Sequence, residues 1–532
     1  MPAIVTNNFR VQNATNFKDN VAKSSVYVSI GKSDVWSAST SDTTDGTPTS
    51  PVDRLDDLGE ARANLIGLKK IVASDIAHVV PRKTWTSGRS YVPYDSDDGS
   101  LFDRDFYILT SEFKVYKCII AGGGVSSIQP TQTLTDPQAE SDGYTWKYMF
   151  TTGVADAEKF LTNSYMPVKT VPLKAEAEVA ATISSSTTVV LKEIDPGVLV
   201  GTTVTGTGIS GTVTVSAVSG STVTLSSAQS ISANTVLTFA FANNTAAAAN
   251  LSETDYAQYL NQKASRDSST AAGIERYEVT AGGTGYSSGS PPTVTISGDG
   301  SGATATAVVN SSGNVTAINV GNKGTNYTVA KVVISGGGGS DATARAVISP
   351  QEGHGVDPVA ELGAFFISLN SKLSGNDGSD LTVGNDFRQV MVINEPRDYN
   401  ATPQAGAIAT ASTLKGTKAL KLATASEASS FQVDELIVGQ SANAPQAYVV
   451  EIDSSNGLLR YHQNQKTGFE AFENGETVIG QTSTQSSALH SSAALENPEV
   501  DRQSGEILFL ENRAPISRST TQIEDIKVIV EF

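Results

Sequence analysis

The sequence predicts a mainly β protein: an antiparallel β-sandwich body with three small inserted β modules and a few short helices. Three observations predict it. Apolar residues alternate with polar ones at many points, the period of a half-buried strand. The 46 glycines among 532 residues, with abundant Ser and Thr, break the chain into short pieces. Composition also shifts abruptly at several positions and then returns to its earlier character. The length corresponds to roughly three or four domains.

In chain order, Val26-Tyr27-Val28-Ser29-Ile30 reads as the first strand, followed by Gly31 and then by a polar loop over 37–51. Asp53 is placed to cap a short helix with Leu55, Leu58 and Leu65 on one face. Strands are expected over 68–72, 76–80, 106–109, 115–120 and 144–150, with an acidic turn at Asp95-Ser96-Asp97-Asp98-Gly99. Trp36, Trp85 and Trp146 all fall in this part.

From about 176 to 249 the chain is mostly Thr, Val, Ser, Ala and Gly, with Phe239 and Phe241 its aromatics, and predicts a separate β module. Within it, 212–218 and 222–225, joined by Ser219-Gly220-Ser221, predict a hairpin. Tyr256, Tyr259 and Leu260 then stand at helical spacing.

Residues 274–349 hold an internal repeat. Gly283-Thr284-Gly285-Tyr286, Ile296-Ser297-Gly298 and Ala303-Thr304 recur as Gly324-Thr325-Asn326-Tyr327, Ile334-Ser335-Gly336 and Ala342-Thr343. A period of about forty residues predicts a duplicated β unit whose copies bury each other's faces. The block 400–496 has its own echo: Phe431, Glu435, Gly439 and Gln440 return as Phe472, Glu476, Gly480 and Gln481. The body is therefore expected over 1–175, 250–273, 350–399 and 497–532, with modules at 176–249, 274–349 and 400–496.

The chain closes on two strands. Residues 506–511 are a mostly apolar run that Pro515 is expected to end, and Ile526, Val528, Val530 and Phe532 take every second position, with Lys527 and Glu531 falling between them.

Composition excludes some functions. The 55 acidic and 37 basic residues give a formal charge of -18, which opposes nucleic-acid binding. The single cysteine, Cys118, permits no internal disulfide and fits folding in a reducing compartment. The first residues lack the basic and apolar regions of a secretion signal, and no apolar run reaches membrane-spanning length, so a soluble protein made in a cytoplasm is expected.

The motif matches carry little chemistry. Gly206, Gly208 and Gly211 satisfy the dinucleotide spacing, but the strand-like 212–215 follows where a helix is needed. Gly31-Lys32-Ser33 has the ending of a phosphate loop, but Val26 stands where its first glycine belongs. Gly336–Asp341 fits one copy of a calcium β-roll repeat with no tandem copies. Asp95, Asp97 and Asp98 begin like a calcium loop but place Phe106 where a bidentate glutamate is required. Both read as turns. Gly285-Tyr286-Ser287-Ser288-Gly289 spells a nucleophile elbow, yet Ser290-Pro291-Pro292 follows it. His78, His354, His462 and His490 are scattered. No catalytic residue, metal ligand or cofactor is assigned.

The body segments resemble a known family, the gene-eight baseplate wedge proteins of T-even-like contractile-tailed bacteriophages. The resemblance rests on Ala3-Ile4-Val5-Thr6 with Phe9-Arg10, Gly31-Lys32-Ser33-Asp34 with Trp36-Ser37, and Val80-Pro81-Arg82 with Trp85. It continues through Val115-Tyr116-Lys117-Cys118, Asp142-Gly143-Tyr144 with Trp146, Phe387-Arg388-Gln389, and Ser504-Gly505-Glu506 with Glu511-Asn512-Arg513 and Pro515-Ile516. It implies an antiparallel β-sandwich body, a homodimer, neighbours resembling the gene-six, gene-seven and gene-ten products, a place in the virion tail baseplate after assembly in the host cytoplasm, and no catalysis. Arg82, Trp85, Arg388 and Arg513 are candidate interface anchors or buried structural residues. The alternatives are a glycan-binding host-surface adhesin, suggested by the repetitive modules, and a polysaccharide-degrading tail enzyme.

Overall fold

The strand Val26–Gly31 is buried along its whole length, because alternate side chains enter two different cores. The computed structural model describes residues 3–172, 174–194, 197–240, 253–269, 272–375, 381–519 and 521–532. It is mainly β, built of several antiparallel sheets with few helices. The expected boundary at 249/250 and Phe241 lie outside the described residues. By contact density the chain divides into residues 1–12 with 78–366, and residues 13–77 with 367–532.

In the second unit, Val26–Gly31 is the centre of a five-stranded sheet ordered Thr413–Lys415, Leu65–Lys70, Val26–Gly31, Asp386–Asn394, Glu506–Ser517. Val26, Val28, Ile30, Phe387, Val390 and Val392 face one core, which also takes Ile367, Leu369, Ile526 and Val528. Tyr27, Leu65, Leu68, Met391 and Ile393 face the other. A sheet covered on both faces needs apolar residues at nearly every position, as this strand has.

Four local expectations are corrected here. The helix Asn7–Lys23 has no counterpart in the sequence reading; its Ala14, Phe17 and Val21 stand at helical spacing in the first core. Asp53 does not cap the next helix: Arg54 occupies that position in Leu55–Ala63, and the Asp57 carboxylate accepts from the Val52 N–H instead. Leu65 leaves that helix face to begin a strand. Pro515 lies inside the strand Glu506–Ser517, where the register slips between Phe387 and Gln389 on the partner strand, and such an irregularity tolerates a residue without an N–H.

Residues 418–496 form a seven-stranded sheet whose core includes Leu420, Phe431, Ile437, Val449, Phe472 and Val478. The echo in this block has a structural cause. Glu435 accepts from the N–H groups of Gln432, Thr482 and Ser483, while Glu476 accepts from those of Glu473 and Ser441. Each glutamate thus closes its own turn and the turn after the other copy's Gly-Gln. A Cβ on Gly439 would stand 2.5 Å from Glu476 Oε2, and one on Gly480 2.5 Å from Glu435 Oε2, so the glycines make room for the carboxylates.

In the first unit, Lys114–Ile120 and Thr145–Thr151 lie at the centre of a four-stranded sheet between Tyr107–Leu109 and Gln138–Ala139. Trp146 is fully buried, stacked on Tyr144 with ring centroids 5.7 Å apart and edge-on to Tyr91 at 5.5 Å. Residues 174–240 form a six-stranded sheet around Val204, Val213, Val223, Leu225, Leu237 and Phe239. The hairpin expected there is present, Val213–Ser219 turning through Gly220-Ser221 into Thr222–Ile231.

The duplication at 274–348 shows two copies with matching strands. Ile274–Thr284, Thr293–Gly298 and Ser301–Val309 have 11, 6 and 9 residues, as do Val315–Thr325, Ala330–Ser335 and Ser340–Ile348. The copies are interlaced. The first strand of each pairs with the third strand of the other, and the two middle strands pair at the centre. The repeated tyrosines follow the exchange: Tyr286 Oη accepts from Ala342 N at 3.2 Å, and Tyr327 Oη from Ala303 N at 3.4 Å.

Candidate functional site

Three of the segments that carry the family resemblance, those at Gly31–Trp36, Phe387–Gln389 and Glu511–Arg513, converge within the second unit although they are hundreds of positions apart, while those at Val80–Trp85, Val115–Cys118 and Asp142–Trp146 lie in the first. Where Val26–Gly31 ends, Lys32 takes a positive φ of 59° and its N–H donates to Asn64 O at 2.9 Å. That turn directs three polar side chains inward. Lys32 Nζ and Lys466 Nζ lie 2.9 and 3.3 Å from Asp34 Oδ2, Asn464 donates to Asp34 Oδ1 at 3.1 Å, and Ser33 Oγ meets His462 Nε2 at 2.9 Å. Asp34 and His462 have fully buried side chains. Burial works to raise the Asp34 carboxyl, yet Lys32, His462 and Lys466 together hold it below the usual range.

The network extends to the later motifs. Arg388 grips both oxygens of Asp45 at 2.8 and 2.7 Å, pairs with Asp386 at 3.0 Å and donates to Ser33 O. Asn64 donates to Gln389, Gln389 to Asn512, and Asn512 to Thr49 O, at 3.1, 2.9 and 2.9 Å. Trp36 Nε1 donates to Arg513 O at 2.7 Å. The Lys32 ammonium is thus paired with Asp34 inside the fold.

The candidate anchors divide by burial. Arg388 is 3 % exposed and fully engaged inside the fold. Arg82 is half-buried, donating to Thr162 O and Thr84 Oγ1, and half-buried Trp85 donates to Ser126 Oγ at 3.2 Å. Arg513 keeps 40 % of its side chain exposed. Asp95, expected in a solvated turn, is held by Arg345. The sequence reading missed His462, Asn464 and Lys466, which lie in the block 400–496 and carry no local signal of their partners.

Beside this network the helix Leu55–Ala63 forms one wall of an open groove of about 870 Å³. Leu55, Tyr399 and Phe469 line it and are 89, 41 and 63 % exposed, beside the charged Asp56, Glu60, Arg62 and Lys418.

A family model described as Bacteriophage T4, Gp8 matches residues 3–101, the stretch holding that helix, Gly31–Trp36 and Val80–Trp85. The chain is similar to the gene-eight family of baseplate wedge proteins. The baseplate wedge protein gp8 of Enterobacteria phage T4 is 23% identical over 202 residues, which cover 31% of this chain. The match spans 60% of that relative's length. Much of the present chain therefore has no counterpart in the aligned part of gp8.

Proposed function

We propose that this chain is a structural component of a phage tail baseplate wedge and links neighbouring subunits there. The observation that carries the reading is the coincidence of two things: the family match over 3–101, and the convergence of its Gly31–Trp36 motif with Phe387-Arg388-Gln389 and Glu511-Asn512-Arg513 in one hydrogen-bonded network. Those residues act on the fold rather than on a substrate, as a scaffold subunit requires. On this reading the chain works as a homodimer, contacts proteins resembling the gene-six, gene-seven and gene-ten products, binds neither nucleic acid nor membrane, and catalyses nothing. Among the described residues no helix is long and apolar enough to cross a membrane.

The groove beside Leu55 and Phe469 is the surface on which another wedge subunit would seat. An electron cryo-microscopy map of the intact particle tests the reading, with density for this chain expected in the baseplate; density at a fibre tip instead would support the adhesin. Light scattering of the isolated protein at micromolar concentration should give the dimer mass. Leu55→Asp with Phe469→Asp should leave the fold intact and abolish incorporation into particles.

A further inference from the structure

A cavity of about 200 Å³ lies within the first unit, where the four-stranded sheet, the helix Glu253–Ser268 and the interlaced duplication meet. Its walls include Lys147 and Thr135, Ser265 and Ser268, Lys323 and Glu275, and His354. Lys147 is 1 % exposed, and its ammonium donates only to neutral oxygens, Thr135 O and, at 2.7 Å, Ser265 Oγ. Among the described residues no carboxylate forms an ion pair with it. Burial brings its pKa down to about 8, so it stays mostly charged at neutral pH. The Glu361 and Asp136 carboxylates attract it only from beyond ion-pair distance. A buried charge without a direct counter-charge is costly, and an anion in the cavity would lower that cost.

His354 supplies a second, independent sign. Its side chain is 7 % exposed and, among the described residues, neither ring nitrogen has a hydrogen-bond partner; Glu275 Oε2 stands 3.7 Å from Nε2 and Glu361 Oε2 3.9 Å from Nδ1. Burial, then Lys117, Lys323, Lys147 and Arg276, hold the ring neutral, which leaves it one N–H to donate. Both carboxylates are already compensated. Glu361 is paired with Lys117 and accepts from the N–H groups of Gly355, Val356 and Asp357, and Glu275 is paired with Lys323 at 2.9 Å. The walls also carry the exposed Asp136 carboxylate. Among the buried groups around the cavity, the Lys147 ammonium and the His354 imidazole are the two without a direct charged or hydrogen-bonding counterpart, respectively, among the described residues. The space equals that of roughly six or seven liquid waters, enough for a small tetrahedral anion.

We propose that this cavity is a binding site for a small oxyanion of the phosphate class, held by Lys147, His354 and Lys323, which ties the duplicated sheet to the body sheet and to the helix Glu253–Ser268. Free phosphate and a phosphate monoester share this chemistry.

The test uses the full chain at pH 7. Its thermal midpoint is titrated with inorganic phosphate, with glycerol phosphate and, at matched ionic strength, with sodium chloride, and phosphorus NMR line-broadening is followed in parallel. A saturable rise with phosphate but not chloride is expected. The monoester either reproduces it, which names an ester headgroup as the natural source, or fails to, which names the free ion. Lys147→Met should lower the affinity at least tenfold. Because that variant could fold poorly, Lys323→Gln and Ser268→Ala are measured too; a severalfold loss is expected in Lys323→Gln. Equal midpoints in phosphate and chloride would overturn the proposal. So would a phosphate response undiminished in both Lys147→Met and Lys323→Gln.

Discussion

Ser33 and His462 lie 429 positions apart in the chain and 2.9 Å apart in the structure, hydroxyl to Nε2. The imidazole is fully buried, and burial outweighs the attraction of Asp34, lowering its pKa from 6.5 to about 4. The unfolded chain therefore takes up a proton near pH 6.5 that the folded chain refuses until about pH 4. This contribution to stability is complete above the higher value and shrinks as pH falls through that window, by up to about 3 kcal/mol. Urea midpoints at pH 7.5 and 5 should show the loss, and His462→Asn should flatten it.

Asp434 acts in the opposite sense. Burial first, then Asp386 and Asp34, raise its carboxyl from 3.8 to about 7, and its Oδ1 has no hydrogen-bond partner among the described residues. A raised acid favours the protonated folded state, so its contribution is complete below the unfolded value and is lost as pH rises through about 7. Asp434→Asn should stabilise the protein at pH 8, by about 1–2 kcal/mol after allowance for partial exposure. Asn also suits the positive φ of 66° at this position. The His462 effect is best read in the Asp434→Asn background, where the two slopes no longer cancel. A midpoint at pH 8 unaffected by Asp434→Asn would refute this assignment.

The two copies in 418–496 are joined by their glutamates, and this makes a sharper prediction than general packing would. Glu435→Ala strands the N–H groups of Gln432, Thr482 and Ser483 and should cost about 3 kcal/mol. Gly480→Ala should also destabilise, by driving a methyl into Ser483 Oγ and the same carboxylate. Because both changes strike one contact, the double variant should lose much less than the sum of the two. Additive losses in denaturant titrations would show that the carboxylate and the glycine act independently.

What the sequence showed depended on whether the signal was local. A β-branched and aromatic run located Val26–Gly31, which is buried on both faces, and alternation located Ile523–Glu531 because burial on one face repeats every second residue. The repeat at 274–348 was visible because identical turns need identical residues, Tyr286 and Tyr327 among them, but its interlacing was not, since which strands of the two copies pair is decided by contacts distant in sequence. The helix Asn7–Lys23 was missed because Ala14, Phe17 and Val21 are diluted by asparagines. Lys147 and Ser265 stand 118 positions apart, and His354 sits in a glycine-rich turn with nothing beside it to suggest burial. Partners that meet only through the tertiary fold leave no pattern in the local sequence.

The C-terminal strand closes the first core of the second unit, and its removal should be severe. Ile526 and Val528 are 6 and 3 % exposed, Val530 and Phe532 pack partly against the same core, and the Phe532 ring lies 5.2 Å from that of Phe17. At roughly 1.5–3 kcal/mol for each fully buried side chain and less for the other two, the strand contributes about 4–8 kcal/mol. A typical domain has only about 5–15 kcal/mol of net stability, so the loss is comparable to the whole. Deleting residues 526–532 should yield insoluble or protease-sensitive protein. Lys527→Ala removes only the ion pair with Asp525 at the surface and should shift the thermal midpoint by less than a degree or two, consistent with exposed pairs worth under about 1 kcal/mol. Limited proteolysis of the two proteins side by side decides the matter: a truncated chain as resistant as Lys527→Ala would mean that the core is closed without this strand.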